Sequence, residues 1–290
     1  MNNTVMNRLK ETFMKLIFFA AACTSVLAVV LICVFLFAQG IPAIHEIGFV
    51  KFIFGTEWRP SNDIYGIFPM IIGSIYVTAG ALILGVPVAL FTSIYMAYFC
   101  PKKIYSFLKN AINLMAGIPS IIYGFFGLVV VVPVIRYLTD GEAGTSMLAA
   151  SVILAIMVLP TIVGVTESSL RSVPQSYYEG SLALGATHER SVYVIMFPAA
   201  KSGIMAGIVL GIGRVIGETM AVNMVAGNQP RMPQGILEGL RTMTGNIVIE
   251  MGYATGLHRE ALIATGVVLF VFILLINLLV SLLNRREKNG

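Results

Sequence analysis

The chain has 290 residues and a formal net charge of +5, with 57% hydrophobic and only 11% charged residues. A soluble domain carries about 25% charged residues, so a chain with less than half that share is not an ordinary soluble fold but a polytopic membrane protein. Its cations are dispersed rather than gathered into one basic patch, which argues against nucleic acid as a partner.

Six apolar stretches are each long enough to cross a bilayer core of roughly 30 Å, which takes about 20 helical residues. They run at about 16–38, 68–99, 111–135, 146–166, 202–225 and 261–283. The expected fold is all-α, with six transmembrane helices sharing one bundle and one domain, 1–290. The first stretch follows Arg8, Lys10 and Lys15, but its 23 apolar residues exceed the 7–15 of a signal-peptide core, so it reads as a retained anchor. The second is about 32 residues long and holds Pro69 and Pro87, which predicts a kink near Pro87 or a protruding end. Cys23, Cys33 and Cys100 lack disulfide or CxxC spacing and read as small apolar residues, and His45, His188 and His258 form no metal pattern. No internal repeat is visible.

Lysine and arginine counts set the orientation. With the N-terminus in the cytoplasm, twelve fall inside: Arg8, Lys10, Lys15, Lys102, Lys103, Lys109, Arg171, Arg190, Lys201, Arg285, Arg286 and Lys288. Six fall outside: Lys51, Arg59, Arg136, Arg231, Arg241 and Arg259. Twelve against six obeys the positive-inside rule, which places both termini in the cytoplasm. The external segment 226–260 then offers a docking surface, although no residue in it stands out.

Between the fourth and fifth stretches the hydrophobic rhythm breaks. "SVPQSYYEGSLALGA" starts as a helix, with Ser172 as cap, Pro174 in the first turn and Gly185 at the end. Thr187 caps a second helix, "HERSVYVIMF", which Pro198 stops. Two short helices with a glycine elbow make a knuckle whose tip carries Tyr177, Tyr178 and Leu182. Such a knuckle either lies on the headgroups or docks a cytoplasmic partner, because an apolar tip requires a cover.

The fifth stretch carries two charges. Arg214 lies thirteen residues beyond Lys201, roughly 20 Å at 1.5 Å per residue. A charge at that depth costs at least about 2.5–3.5 kcal/mol and must face protein, a counter-charge or water. Gly203, Gly207, Gly211, Arg214 and Glu218 step by 3 or 4 and share one face, on which the glycines allow close helix contact. Two readings follow: a self-neutralising i,i+4 pair, or a stop on an anion path. In the second, Glu218 holds Arg214 until an oxyanion arrives, since the guanidinium fork bonds two oxygens at once.

The knuckle resembles the EAA motif of membrane subunits of ATP-binding-cassette (ABC) importers, which reads E-A-A, three residues, G, nine residues, I-x-L-P. Here the matching positions are Glu179-Gly180-Ser181, Gly185, Ile195 and Phe197-Pro198, with departures at Gly180, Ser181 and Phe197. That resemblance implies coupling helices seated in a cleft of an ATPase. The ATPase is a separate chain, since no GxxxxGK[ST] phosphate loop occurs in this one.

Further stretches resemble permeases of the phosphate-specific transport (Pst) system, the PstC type in particular. They are "EWRPSNDIYGIFPMIIGSIYVTAGALILGVPVAL" (57–90), "GIPSIIYGFFGL" (117–128), "VPQSYYEGSLALGAT" (173–187), "GRVIGETMAV" (213–222) and, with less weight, "RTMTGNIVIEMG" (241–252). On physical grounds Gly117–Ser120 reads as a helix break. The resemblance implies a MetI-like type I importer permease: an anchor helix and external loop (1–66), then a core (67–284) containing the coupling loop (167–201). Arg214 and Glu218 would lie in the translocation path. Tyr177, Tyr178, Glu179, Gly180, Ser181, Leu182, Gly185, Ile195 and Pro198 would engage the ATPase.

The implied partners are a homologous PstA-type permease, two PstB-type ATPases, a PstS-type phosphate-binding protein, inorganic phosphate and membrane lipid. The implied location is the plasma membrane of a bacterium or archaeon. This chain would perform no covalent chemistry and bind no cofactor itself, ATP and magnesium residing on the ATPase. The competing expectations are a permease for another oxyanion, molybdate or sulfate; a secondary transporter; and a structural or signalling subunit without transport.

Overall fold

In lipid every backbone N–H and C=O must find a partner within the chain, so apolar runs of this length become helices. The computed structural model describes residues 2–141 and 144–286. Helix α1 (Asn2–Ile47) is followed by α2 (Phe49–Phe54) and a small antiparallel hairpin. Its strands, β1 (Trp58–Arg59) and β2 (Ile64–Tyr65), set Trp58 opposite Tyr65. Next come α3 (Phe68–Ile94), which ends in a π-helical turn at Tyr95–Phe99, then α4 (Lys102–Gly117), α5 (Ser120–Phe126), a second π turn and α6 (Val132–Leu138). The long α7 (Met147–Arg171) leads into the knuckle: α8 (Gln175–Ala183), α9 (His188–Arg190), a third π turn and α10 (Phe197–Ala199). The chain closes with α11 (Lys201–Ile216), α12 (Met220–Val225), α13 (Met243–Glu250) and α14 (Gly256–Arg286). Of the cations that set the orientation, Lys288 lies outside the described residues, as do the side chains of Arg8, Lys10, Arg285 and Arg286.

Five helical stretches are long and apolar enough to span: Glu11–Ile47, Phe68–Phe99, Ser120–Leu138, Met147–Arg171 and Gly256–Leu279. A sixth forms if His188–Ala199 and Lys201–Ile216, bent by 68° at Ala200, count as one broken span. The expected six-helix membrane fold is therefore present, with two corrections to its boundaries.

The third stretch does not run unbroken from 111. Pro119 lacks an N–H and pushes Ile118 into extended backbone (φ −72°, ψ 125°), so α4 ends at Gly117 and the span begins at Ser120. Gly117–Ser120 is thus the helix break expected of it. The fifth stretch is also two helices rather than one. Helix α11 stops at Ile216, and the Glu218 carboxylate accepts a hydrogen bond from the Ala221 N–H at 3.1 Å. A local acceptor of this kind offers the backbone an alternative to the helix ladder. Glu218 therefore lies beyond the helix and does not continue the face expected to join it to the glycines.

The core is centred on α7, which packs against α3 on one side and α11 on another, while α1 packs against α14. Gly203, Gly207 and Gly211, three of the four glycines of α11, lie against α7. A Cβ added to Gly203 would overlap the Ser169 side chain. At Gly207 it would press on Thr166 and Val165, and at Gly211 on Ile162 and Val158. Replacing Gly203 with Val is expected to destabilise the chain by about 1–3 kcal/mol, read as a lower unfolding midpoint in detergent. Gly164→Ala, where the added carbon meets nothing within 4 Å, is expected to leave that midpoint in place.

Candidate functional site

Three clusters of polar residues break the apolar fabric. The first is the knuckle. Helix α8 closes with a Schellman turn in which Gly185 N–H donates to the Leu182 carbonyl at 2.9 Å and Ala186 N–H to that of Ser181 at 3.1 Å. Gly185 sits at φ +86°, a conformation other residues reach only with strain. Thr187 then caps the second helix, accepting from the Arg190 N–H at 3.3 Å, as the sequence predicts. Ser172 departs from its expected role: it ends α7, donating to the Ser169 carbonyl, and Pro174 takes the position before α8.

The tip also differs from expectation. Leu184 is 91% exposed, Tyr177 54% and Leu182 39%. Tyr178 instead turns inward, its hydroxyl 2.7 Å from Nδ1 of His188, whose ring stacks edge-on against Phe99 at 4.7 Å. The EAA-like triplet splits by direction. Glu179 and Gly180 face out, whereas the buried Ser181 hydroxyl lies 2.7 Å from both the Tyr178 carbonyl and Ser191 Oγ. Ser191 in turn donates to the Thr187 carbonyl, so two hydroxyls fasten the two limbs together. Ile195 and Pro198 remain on the exposed flank. Leu184, which the sequence reading passed over, is the most prominent apolar side chain of the knuckle.

The second cluster surrounds the break between α11 and α12. Arg214, half-buried in the last turn of α11, donates from Nη1 to Thr161 Oγ1 of α7 at 3.0 Å. No ion pair joins it to Glu218 among the described residues, because the Glu218 carboxylate is directed to α12 and its carbonyl accepts from Thr244 Oγ1 at 3.0 Å. The self-neutralising pair is thus replaced by a separated cation and anion flanking unwound backbone. Thr161 was missed by sequence reasoning, because its partner Arg214 is 53 positions away on another helix.

The third cluster lies on the side of the molecule opposite the knuckle and was also missed. Glu250 at the end of α13 is 6% exposed, yet both of its oxygens are engaged. Arg241 Nη1 donates to Oε1 at 2.6 Å, while Trp58 Nε1 (2.9 Å) and His258 Nε2 (2.8 Å) meet Oε2. Arg241 also donates to the Asn228 carbonyl and to Asn246 Oδ1, both at 3.0 Å. Burial raises the affinity of the Glu250 carboxyl for its proton, but the hydrogen bonds from Trp58, His258 and Arg241 together outweigh this and hold it below the usual carboxylate range. In the adjoining hairpin, burial and then the bond to Asp63 push the Tyr65 phenol up to about 12. Glu250 therefore ties the hairpin at 58–65 to the segment that follows α12.

Residues 89–289 match the family described as binding-protein-dependent transport system inner membrane component. The probable ABC transporter permease protein YqgH of Bacillus subtilis (strain 168) is 34% identical over 97% of this chain and 93% of its own. The phosphate transport system permease protein PstC of Xylella fastidiosa (strain Temecula1 / ATCC 700964) is 33% identical over 96% of this chain and 93% of its own. Among solved structures, a bacterial alginate ABC transporter, determined in complex with an alginate-bound periplasmic protein, aligns with a TM-score of 0.65 at 15% identity, over 93% of this chain and 95% of that one. The MetNI methionine ABC transporter, in an inward-facing form, aligns with a TM-score of 0.56 at 22% identity, over 76% and 94%. These two share the fold, the MetI-like membrane bundle. The chain is a transport permease rather than an enzyme, a multi-pass plasma-membrane protein, and it belongs to the binding-protein-dependent inner membrane components of ABC importers.

Proposed function

We propose that this permease imports inorganic phosphate, forming half of the translocation path and receiving movement from an ATPase through the knuckle. The observation that carries the cargo is Arg214, a cation held against Thr161 where the spanning helix breaks. A guanidinium has five N–H donors in a rigid fork, Thr161 accepts from one of them, and paired oxyanion oxygens suit such a fork. The PstC names among the relatives support the same cargo. Glu218, on the far side of the break, supplies a counter-charge to repel the anion onward or to reclaim the cation after release. A second permease of the same family completes the path, two ATPases take the two knuckles, and a binding protein delivers phosphate to the face carrying Glu250. ATP and magnesium reside on the ATPases.

The lysine and arginine distribution supports a cytoplasmic knuckle with both termini on the same side. Its exposed surface, with Leu184 and Tyr177 at the tip and Glu179 beside them, suits the apolar cleft of a partner.

The test is ATP-dependent uptake of labelled phosphate into proteoliposomes holding this chain, its companion permease, the ATPase and the binding protein. Excess unlabelled phosphate is expected to abolish uptake, equal sulfate or molybdate to leave it, and a protonophore to have no effect. Competition by molybdate or sulfate as strong as by phosphate would reassign the cargo, and collapse with the protonophore would make the protein a secondary carrier. In the same vesicles Leu184→Asp is expected to lower uptake by about tenfold or more at equal amounts of chain. A wild-type rate would remove the knuckle from the drive train.

A further inference from the structure

One buried carboxylate lies outside both the knuckle helices and the contact between Arg214 and Thr161. Glu167, in the last turn of α7, is 1% exposed. Its Oε1 accepts from the Tyr105 hydroxyl at 2.8 Å and from Arg171 Nε at 2.7 Å, and its Oε2 from Lys109 Nζ at 2.5 Å. Tyr105 and Lys109 both belong to α4. Arg171, the final residue of α7, reaches further: Nη2 donates to the Met96 carbonyl at 2.7 Å, and its guanidinium sits 4.7 Å from the Tyr105 ring centre. A carboxylate out of water without partners is strongly destabilising, so two cations and a phenol on one anion bind these elements tightly.

Where this joint lies gives it a role. Four residues after Arg171 the knuckle begins, at Gln175 of α8. Helix α4 has no fully buried residue and packs chiefly against α7, so Glu167 is its principal polar anchor. At its other end α4 meets the Ile118–Pro119 break, across which the Tyr123 hydroxyl of α5 donates to the Met115 carbonyl at 2.8 Å. Helix α5 in turn lies directly on α12: a Cβ on Gly124 would sit 3.0 Å from Ala221 Cα and 2.9 Å from Met224 Sδ. Helix α12 starts where Glu218 caps it. An unbroken series of contacts thus runs from the knuckle through Glu167 and α4 to the helix break beside Arg214.

We propose that Glu167 is a positioning residue for transport: it locks α4 to the root of the knuckle, so that displacement of the knuckle by the ATPase is delivered to the broken helix that flanks the anion path. This rests on the knuckle being the coupling element. Without the carboxylate charge the knuckle still engages the ATPase, but its movement is lost at the α4–α7 contact.

The experiment pairs two readouts in the reconstituted transporter. Glu167→Gln and Lys109→Met are expected to keep ATP hydrolysis within about twofold of wild type while accumulation falls about tenfold, so the ATP used per phosphate rises in proportion. Lys109→Arg, which keeps the cation, is expected to restore the wild-type ratio. A role in folding alone would lower both activities together, and that result, or an unchanged ratio in Glu167→Gln, overturns the proposal. The second readout needs no cargo: the distance between spin labels at Asn113 of α4 and Gln175 of α8, in a chain whose three cysteines are replaced. One narrow distance, the same with and without trapped nucleotide, is expected in the wild-type joint, with broadening in Glu167→Gln. A wild-type distance that shifts between the two states overturns the joint. Absence of ATP-driven phosphate uptake with the narrow distance preserved counts against the cargo reading alone.

Discussion

Arg214→Gln is expected to abolish phosphate accumulation while the chain still inserts, folds and assembles. Gln fills similar space but supplies neither charge nor the planar fork. Losing one member of a charge-assisted contact shielded from water costs about 2–5 kcal/mol, or roughly one and a half to three and a half orders of magnitude in rate or affinity. Arg214→Lys is expected to fall between, because an ammonium keeps the charge but not the bidentate geometry. Thr161→Val, which removes the acceptor 3.0 Å from Nη1, is expected to reduce uptake less than loss of the charge. The measurement is initial uptake at saturating binding protein, alongside the amount of assembled complex. Wild-type uptake by Arg214→Gln would move the anion path elsewhere.

Glu250→Ala is expected to be the most destabilising single change on the face opposite the knuckle. It removes the counter-charge of Arg241, only 11% exposed, and leaves the Trp58 and His258 donors without their acceptor. Breaking a buried pair in this way costs about 3–5 kcal/mol, a fall of roughly 5–15 °C in the unfolding midpoint. The pH dependence follows from the depressed Glu250 carboxyl. A carboxylate held below its ordinary value of 4.5 contributes its full stability above that pH and loses it as the pH falls through the lower folded value. Protease cleavage of the 226–242 segment is thus expected to rise as the pH on that face drops below 4.5, and to lose that dependence in Glu250→Gln. Cleavage that ignores pH in the wild-type chain would show that Glu250 does not secure this segment.

Hydropathy located the membrane helices because burial in lipid acts on whole windows of residues, and one window is enough to read it. The two boundary errors have different origins. The break at Ile118–Pro119 was legible, since proline forbids the ladder locally. The break at Gly217–Thr219 was hidden because it depends on Glu218 turning to cap α12, a choice that side-chain periodicity does not encode. The same turn dissolved the expected Arg214–Glu218 pair, and Thr161 could be found only once α7 and α11 lay side by side. Tyr178 looked like an exposed aromatic because its partner, His188, is ten residues away on the other limb. Glu250 and Trp58 are 192 positions apart, beyond the reach of any local pattern.

The seam between α7 and α11 leaves one consequence. Three positions without side chains let the two backbones rest almost against each other, and a dry, close-packed contact of this sort resists sliding. Helix α11 must therefore travel with α7 as a single strut. The points at which the chain can bend around this pair are the extremities of α11, the 68° corner at Ala200 and the uncoiled residues after Ile216, so Arg214 in its last turn shifts only when the α7–α11 pair shifts as a whole.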